Sequence, residues 1–362
     1  MDGVMYKPKL KYLFCVANYR SLWPQLSVIR HLNALGIEPY VLADSNGDVG
    51  NISGMLQGSM FHPIPSPNSL PRDYDVMFSQ SAGLDAFERD SLTNSWRKGK
   101  TNVKLHNSMS TYNTLTNINY IQARVKGRLH GFCMKEQRSV EHFRRFLPEP
   151  NVWYLNVGDP DWDYFQTEEF KSGVKAVRQS YGDKILLVLI SFDSGAVECR
   201  FWRTVIPWAV AKGFRVLIRP HPGCEHRIPA DLQKYQAPDL HRHVLFAGAS
   251  HVLGEMASSV IGECMLLGTK VGSYPFVPHT PRYGVHSWMD DDTRWRGAIV
   301  KQVGARLLSY VPFVHTAGSL GSFLLDTKPL ITTEQMDELW GWPRVPNYCD
   351  YLLQSLERKL GA

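Results

Sequence analysis

The stretch that decides the fold begins Arg215-Val216-Leu217-Ile218-Arg219-Pro220-His221-Pro222, continues to Ser258-Ser259 and Glu263, and closes at Ser273. An apolar run leads into Arg-Pro-His-Pro, and a second short apolar run precedes the serine pair. Each run reads as a buried strand ending at a turn where a helix starts. Backbone N–H groups at helix N-termini, a fixed cation and small hydroxyls together favour bound anions. The order strand, cation and imidazole, strand, hydroxyl pair therefore predicts a site for a nucleotide diphosphate.

Working outward, the same alternation fills the chain. Leu10 to Ala17 predicts a strand, Pro24 to Leu35 a helix with Leu26, Ile29, Leu32 and Leu35 at helical spacing, and Ile37 to Ala43 the next strand, with Gly36 between. Strand, helix and strand joined this way imply a parallel pair. Tyr74 to Ser79, Asn102 to Leu105 and Asn151 to Val157 extend that sheet. After a polar helix from Thr167 to Tyr181, a second series predicts strands at Ile185 to Ile190, Phe214 to Ile218, His243 to Phe246, His251 to Leu253 and Lys270 to Ser273. A helix from Cys199 to Lys212 lies within it, and the tail from Thr333 to Leu360 reads as largely helical. The fold class is α/β, with two Rossmann-like domains, residues 1–165 and 166–332, and a helical tail at 333–362.

A chain of 362 residues that is 44% hydrophobic can bury two medium cores. Met1 to Lys11 has no leader character, and no apolar run approaches the roughly 18 residues of a membrane span. Cys15, Cys133, Cys199, Cys224, Cys264 and Cys349 form no Cys-x-x-Cys pair, which fits reduced thiols in a cytoplasmic protein, with peripheral membrane contact left open. The net charge of +6 is unevenly spread: Arg89 to Arg145 carries twelve Lys and Arg against Asp90, Glu136 and Glu141, a net of +9. Such asymmetry predicts one face meeting an anionic partner. Lys98, Lys100, Lys104, Arg124, Lys126 and Arg128 are its candidate contacts.

Four groups of residues resemble a known family. They are Leu105-His106-Asn107 after a strand, Val157-Gly158-Asp159-Pro160 with Asp163, Arg219-Pro220-His221-Pro222, and Ser258-Ser259 with Glu263. In this order they resemble GT-B glycosyltransferases, in particular the CDP-glycerol glycerophosphotransferase relatives and the Kdo- and sialyltransferases that share HP and SS motifs. The sequence departs from the glycerophosphotransferase pattern at Asn107, where Gly is usual, and at Asp161, where Arg is usual. The resemblance implies two domains facing a central cleft, with the C-terminal one binding a cytidine nucleotide. It implies that His221 and Arg219 offset charge on the leaving phosphate. Ser258 and Ser259 would receive phosphate oxygens, and Glu263 would accept from ribose hydroxyls.

In the N-terminal half His106 is the expected base, at the end of a parallel strand and with an ordinary imidazole pKa near 6.5. His130 is its rival, with Lys126 and Arg128 expected to lower its pKa. The function predicted is transfer of a sugar or glycerol-phosphate unit from a CDP-, CMP- or UDP-linked donor to an anionic glycan or lipid-linked polymer, as in polysaccharide biosynthesis. No cofactor or metal is expected, and Asp290-Asp291-Asp292 reads as a solvated acidic loop. Two alternatives stay open. One is a DNA-modifying glycosyltransferase, with Trp96, Tyr112, Tyr120 and Phe132 available for base stacking. The other is a sugar-nucleotide epimerase of the same fold, which needs no polyanionic acceptor. No Gly-x-Gly-x-x-Gly or Walker-type loop is present, which argues against dehydrogenase and P-loop kinase chemistry.

Overall fold

The computed structural model describes residues 6–17, 19–44, 49–80, 86–105, 128–146, 149–190, 198–220, 228–255, 260–274, 310–314, 316–326 and 331–362. The chain divides into two compact units, Met1–Tyr164 together with Trp340–Ala362, and Phe165–Leu339. The segment from Trp340 onward thus groups with the first unit instead of standing as a separate tail.

Unit 1 is built on β1 (Tyr12–Val16), α1 (Tyr19–Ala34), β2 (Tyr40–Ala43), α2 (Val49–Met55), β3 (His62–Ile64), β4 (Val76–Ser79), α3 (Ala86–Arg97), β5 (Thr101–Leu105), β6 (Gly131–Met134), α4 (Gln137–Phe146) and β7 (Trp153–Asn156). Its seven strands are all parallel, in the order β3-β2-β1-β4-β5-β6-β7. Phe14 lies opposite both Val41 and Phe78, and Lys104 opposite both Ser79 and Phe132. Alternate residues of each strand leave opposite faces. Phe14, Val16, Val76 and Phe78 meet Leu22, Ile29 and Leu32 of α1 on one side, while Leu13, Met77 and Phe132 meet Leu92 of α3 and Phe143 of α4 on the other. Each fully buried aliphatic or Phe side chain contributes about 1.5–3 kcal/mol relative to exposure. Gly131 has a packing reason, since a Cβ there would stand 2.2 Å from the Trp153 ring.

Unit 2 contains α5 (Glu168–Tyr181), β8 (Ile185–Ile190), α6 (Glu198–Ala211), β9 (Arg215–Pro220), α7 (Arg242–Gly248), β10 (His251–Glu255), α8 (Val260–Leu266), β11 (Lys270–Tyr274) and α9 (Ala317–Leu325). The four strands are parallel in the order β11-β10-β8-β9, with Val188 opposite Ile218 on one side and Leu253 on the other. Helix α10 (Thr333–Trp340) ends at the boundary between the units, and α11 (Tyr348–Leu360) buries Leu352, Leu353 and Leu356 in the unit 1 core.

Two expectations are corrected. His243 to Phe246 is not a strand but part of α7, every residue of which from His243 to Gly248 is buried. An apolar run this short carries no period that separates strand from buried helix. Helix α1 begins at Tyr19, so Pro24 sits inside it and not at its first position. The tail is largely helical as expected, with a break between α10 and α11 where Gly341 takes φ +64.

Candidate functional site

In a parallel sheet all carboxyl ends lie at one edge, and ligands of open α/β sheets gather there. Arg219 stands near the carboxyl end of β9, and Glu263 lies on the helix that follows the carboxyl end of β10. The two strands flank β8 on either side. Segment 240–243 joins these residues. Arg219 Nη1 donates to the Leu240 carbonyl at 2.8 Å. His241 follows, and α7 then carries Arg242 and His243 toward Glu263.

His243 and Glu263 are both buried, 0% and 1% exposed. His243 Nε2 lies 3.1 Å from Glu263 Oε2. Arg242 Nε–H also points at that nitrogen, at 3.2 Å, so the tautomer of His243 decides whether Nε2 donates to Glu263 or accepts from Arg242. Arg242 Nη2 is 3.7 Å from the same carboxylate oxygen and adds its charge to the pair. Phe165 meets the His243 ring edge-on at 4.8 Å, and His241 lies 5.2 Å from it. Burial, reinforced by His243, Arg242 and Arg219 and opposed by Glu263, holds His241 down to about 3. His241 is thus neutral at physiological pH, and an imidazole beside a cluster of cations can accept or donate one hydrogen bond without adding charge.

The structure therefore gathers Arg219 and Glu263 around His241, Arg242 and His243. These last three went unread in the sequence because their segment passed for the start of a strand. The signal available was His-Arg-His itself, three basic or titratable residues directly before an apolar run. Glu263, expected to meet ribose, instead spends Oε2 on His243 and Arg242. His106, His221, Ser258, Ser259, Arg124 and Lys126 lie outside the described residues, as do Asp290, Asp291 and Asp292.

The basic segment is less of a surface than its charge suggests. Lys104 is only 5% exposed and Lys135 3%, so neither presents its charge on an outer face. Lys104 is a strand residue whose side chain shares the core face with Phe132, and this corrects its placement on an outer basic face. Lys135 pairs with buried Asp159. Lys98 is exposed and donates to the Leu70 carbonyl. Lys100 stands 5.4 Å from the Tyr74 ring centroid. Arg128 is half-buried, Trp96 is exposed, and Phe132 is core, so Phe132 is withdrawn as a stacking platform.

Two motif residues turn out to hold the fold together. His130 Nδ1 accepts from the Asn102 N–H at 3.0 Å, and burial, not the neighbouring cations, lowers its pKa. Asp163 accepts from the Tyr348 and Cys349 N–H groups at 2.6 and 2.9 Å, capping the start of α11. Gly158 precedes it at φ +74, with Tyr348 where a Cβ would project. Among the described residues no cluster of three or more His, Cys, Asp or Glu side chains is arranged to hold a metal, and no helix is long and apolar enough to cross a membrane.

No protein-family model matches the chain, and no curated protein matches it. Solved structures do. The wall teichoic acid polymerase TagF superposes with a TM-score of 0.61 at 10% identity, over 98% of this chain and 91% of that one. The glycosyltransferase of kitacinnamycin gives 0.59 at 11% identity, over 97% and 100%. UDP-GlcNAc 2-epimerase from Neisseria meningitidis, bound to UDP-GlcNAc, gives 0.58 at 13% identity, over 98% and 100%. The chain has the fold of these proteins, GT-B, with two Rossmann-like units.

Proposed function

We propose that the protein is a GT-B transferase that moves a sugar or glycerol-phosphate unit from a CDP-, CMP- or UDP-linked donor to an acceptor bearing negative charge. The observation that carries this reading is the meeting of Arg219 with the His241-Arg242-His243 and Glu263 cluster at the carboxyl edge of the unit 2 sheet. A fixed cation and the neutral His241 imidazole there suit the phosphates of a nucleotide donor. His221, two residues beyond Arg219, stabilises charge on the leaving phosphate, and Ser258 and Ser259 contribute hydroxyl and N–H donors to it. In unit 1, His106 takes the proton of the attacking acceptor hydroxyl as the bond to the donor phosphate breaks. Arg242 holds the Glu263 carboxylate in place from the donor side.

Thermal unfolding with CDP, CMP and UDP tests the reading directly. A nucleotide present at about 100 times its Kd stabilises by roughly 2.7 kcal/mol. Failure of all three to raise Tm at millimolar concentration would overturn it.

The epimerase reading is kept for a specific reason. Burial of Lys104 and Lys135 takes two cations off the face that a polyanionic acceptor, glycan or DNA, would meet. Release of free UDP from UDP-GlcNAc only when an acceptor is added supports transfer; conversion of the sugar nucleotide without acceptor supports epimerisation.

A further inference from the structure

Unit 1 holds a second polar cluster that the donor site does not use. Ser79 ends β4, and Lys104 is the last residue but one of β5. They are register partners in adjacent parallel strands, so their side chains leave the same face of the sheet side by side. Both are withdrawn from solvent, at 0% and 5% exposed. Among the described residues Ser79 Oγ has no hydrogen-bond partner. No hydrogen bond or ion pair from a described residue reaches the Lys104 ammonium either; Glu88, in the first turn of α3, acts on it through space. The Glu88 carboxylate itself accepts from the Gln80 N–H at 2.7 Å.

One layer deeper on the same face the situation is different. Asn102, two residues before Lys104, accepts from Ser95 Oγ at 2.6 Å and donates to the Leu92 and Arg128 carbonyls at 2.9 Å each. Asn102 in that layer is fully paired, whereas Ser79 at the carboxyl edge is not. A buried hydroxyl without a partner is destabilising, and a buried ammonium more so. A ligand oxygen between Ser79 and Lys104 would offset both.

We propose that Ser79 and Lys104 form a subsite at the carboxyl edge of the unit 1 sheet that takes one oxyanion oxygen, of a phosphate or a carboxylate, on the acceptor. The ammonium and the serine O–H both donate to that oxygen. Glu88 acts against the ammonium charge, which favours a single anionic group over a run of phosphates. Burial lowers Lys104 to about 8 while Glu88 opposes the fall, and a bound anion would raise it again. The word acceptor rests on the transferase reading; the oxyanion chemistry does not.

The test is acetic anhydride labelling of the full chain, without nucleotide, read by peptide mass spectrometry at Lys104. Inorganic phosphate and acetate serve as probes, with Lys98 and Lys100 as internal controls. The expected result is labelling of Lys104 in the free protein, slowed at least threefold by one of the two anions, with the controls unchanged. Ser79→Ala should weaken that protection at least threefold while keeping the wild-type Tm. Which anion protects separates a phosphate from a carboxylate acceptor. Absence of labelling at Lys104, labelling that neither anion slows, or unaltered protection in Ser79→Ala would each overturn the subsite. Because no nucleotide is present, a chain protected by phosphate but not stabilised by CDP, CMP or UDP would sink the transferase reading and leave the subsite standing.

Discussion

His243 Nε2 and Glu263 Oε2 meet at 3.1 Å with both side chains closed off from solvent, linking α7 to the helix that follows β10. A buried pair of this kind is poor evidence of net stabilisation, but breaking it by removing one partner is costly. Glu263→Ala should therefore destabilise the chain by about 3 kcal/mol in denaturant unfolding. Glu263→Gln should cost much less, because its amide keeps a hydrogen-bonding group opposite His243 Nε2 whichever tautomer the ring adopts. Equal losses in the two variants would show that the hydrogen bond does not matter.

His221→Ala tests the leaving-group side. Loss of one stabiliser of developing charge typically lowers turnover by about 100-fold or more. Nucleotide Kd should change far less, since the interaction strengthens only as the bond breaks. Near-normal turnover in the variant would remove His221 from the mechanism.

His106→Ala tests the base. Transfer should be abolished while the Kd for the nucleotide stays within about twofold, because the nucleotide is assigned to unit 2 and the base to unit 1. If transfer and nucleotide affinity fall by the same factor, His106 acts in binding or folding.

Much of this architecture was legible. Ile185–Ile190 is a strand with the bounds its apolar run suggests, and β1, β5, β9, β10 and β11 fall within one to two residues of their expected limits. Continuous apolar runs between helical periods leave few other choices for a sheet buried on both faces. Strand β3 was missed because His62-Pro63-Ile64 is short, partly exposed and carries a proline, all of which are tolerated at a sheet edge. Strand β6 was missed because Gly131-Phe132-Cys133-Met134 is brief and sits inside the charged segment. Of the site, Arg219 and Glu263 were visible from their motifs. The buried states of Lys104 and Glu263 were not, since a charged residue in a strand or helix reads as exposed until its neighbours are known.

The histidines of unit 2 set an expectation for pH. His251 packs edge-on against Phe214 and Phe323, at 5.3 and 5.1 Å, and its Nδ1 lies 3.0 Å from Ser250 Oγ. Burial, reinforced by the charge of Lys270 and opposed by Asp326, holds it down to about 4. In the unfolded chain it titrates near 6.5. Between those values the unfolded state binds a proton that the folded state refuses, so stability falls as pH drops from about 6.5 toward 4. His130 and His241 shift in the same direction. Urea unfolding midpoints should decline over this window, and less steeply in His251→Asn. An identical profile in the variant would show that His251 does not contribute.

The last expectation separates charge that is on the surface from charge that is not. Lys98→Glu with Lys100→Glu changes local charge by four units at exposed or half-buried positions. Surface substitutions usually cost within about 0.5 kcal/mol each, and the loss of the Lys100 contact with Tyr74 adds roughly another 0.5 kcal/mol. The double variant should remain folded. Lys104→Glu should not behave this way. It sets a second buried carboxylate beside Glu88 and removes a charge that offsets it, so a loss above about 3 kcal/mol is expected, visible as a sharply lowered urea midpoint. Acceptor KM measured at two salt concentrations then reads the outer face alone through the double variant. If Lys98 and Lys100 recruit an anionic acceptor, KM rises and its salt dependence shrinks, while nucleotide affinity is unchanged. An unaltered KM at both salts would exclude this face from acceptor binding and leave the proposed Ser79 and Lys104 subsite as the part of the basic segment that meets an anion.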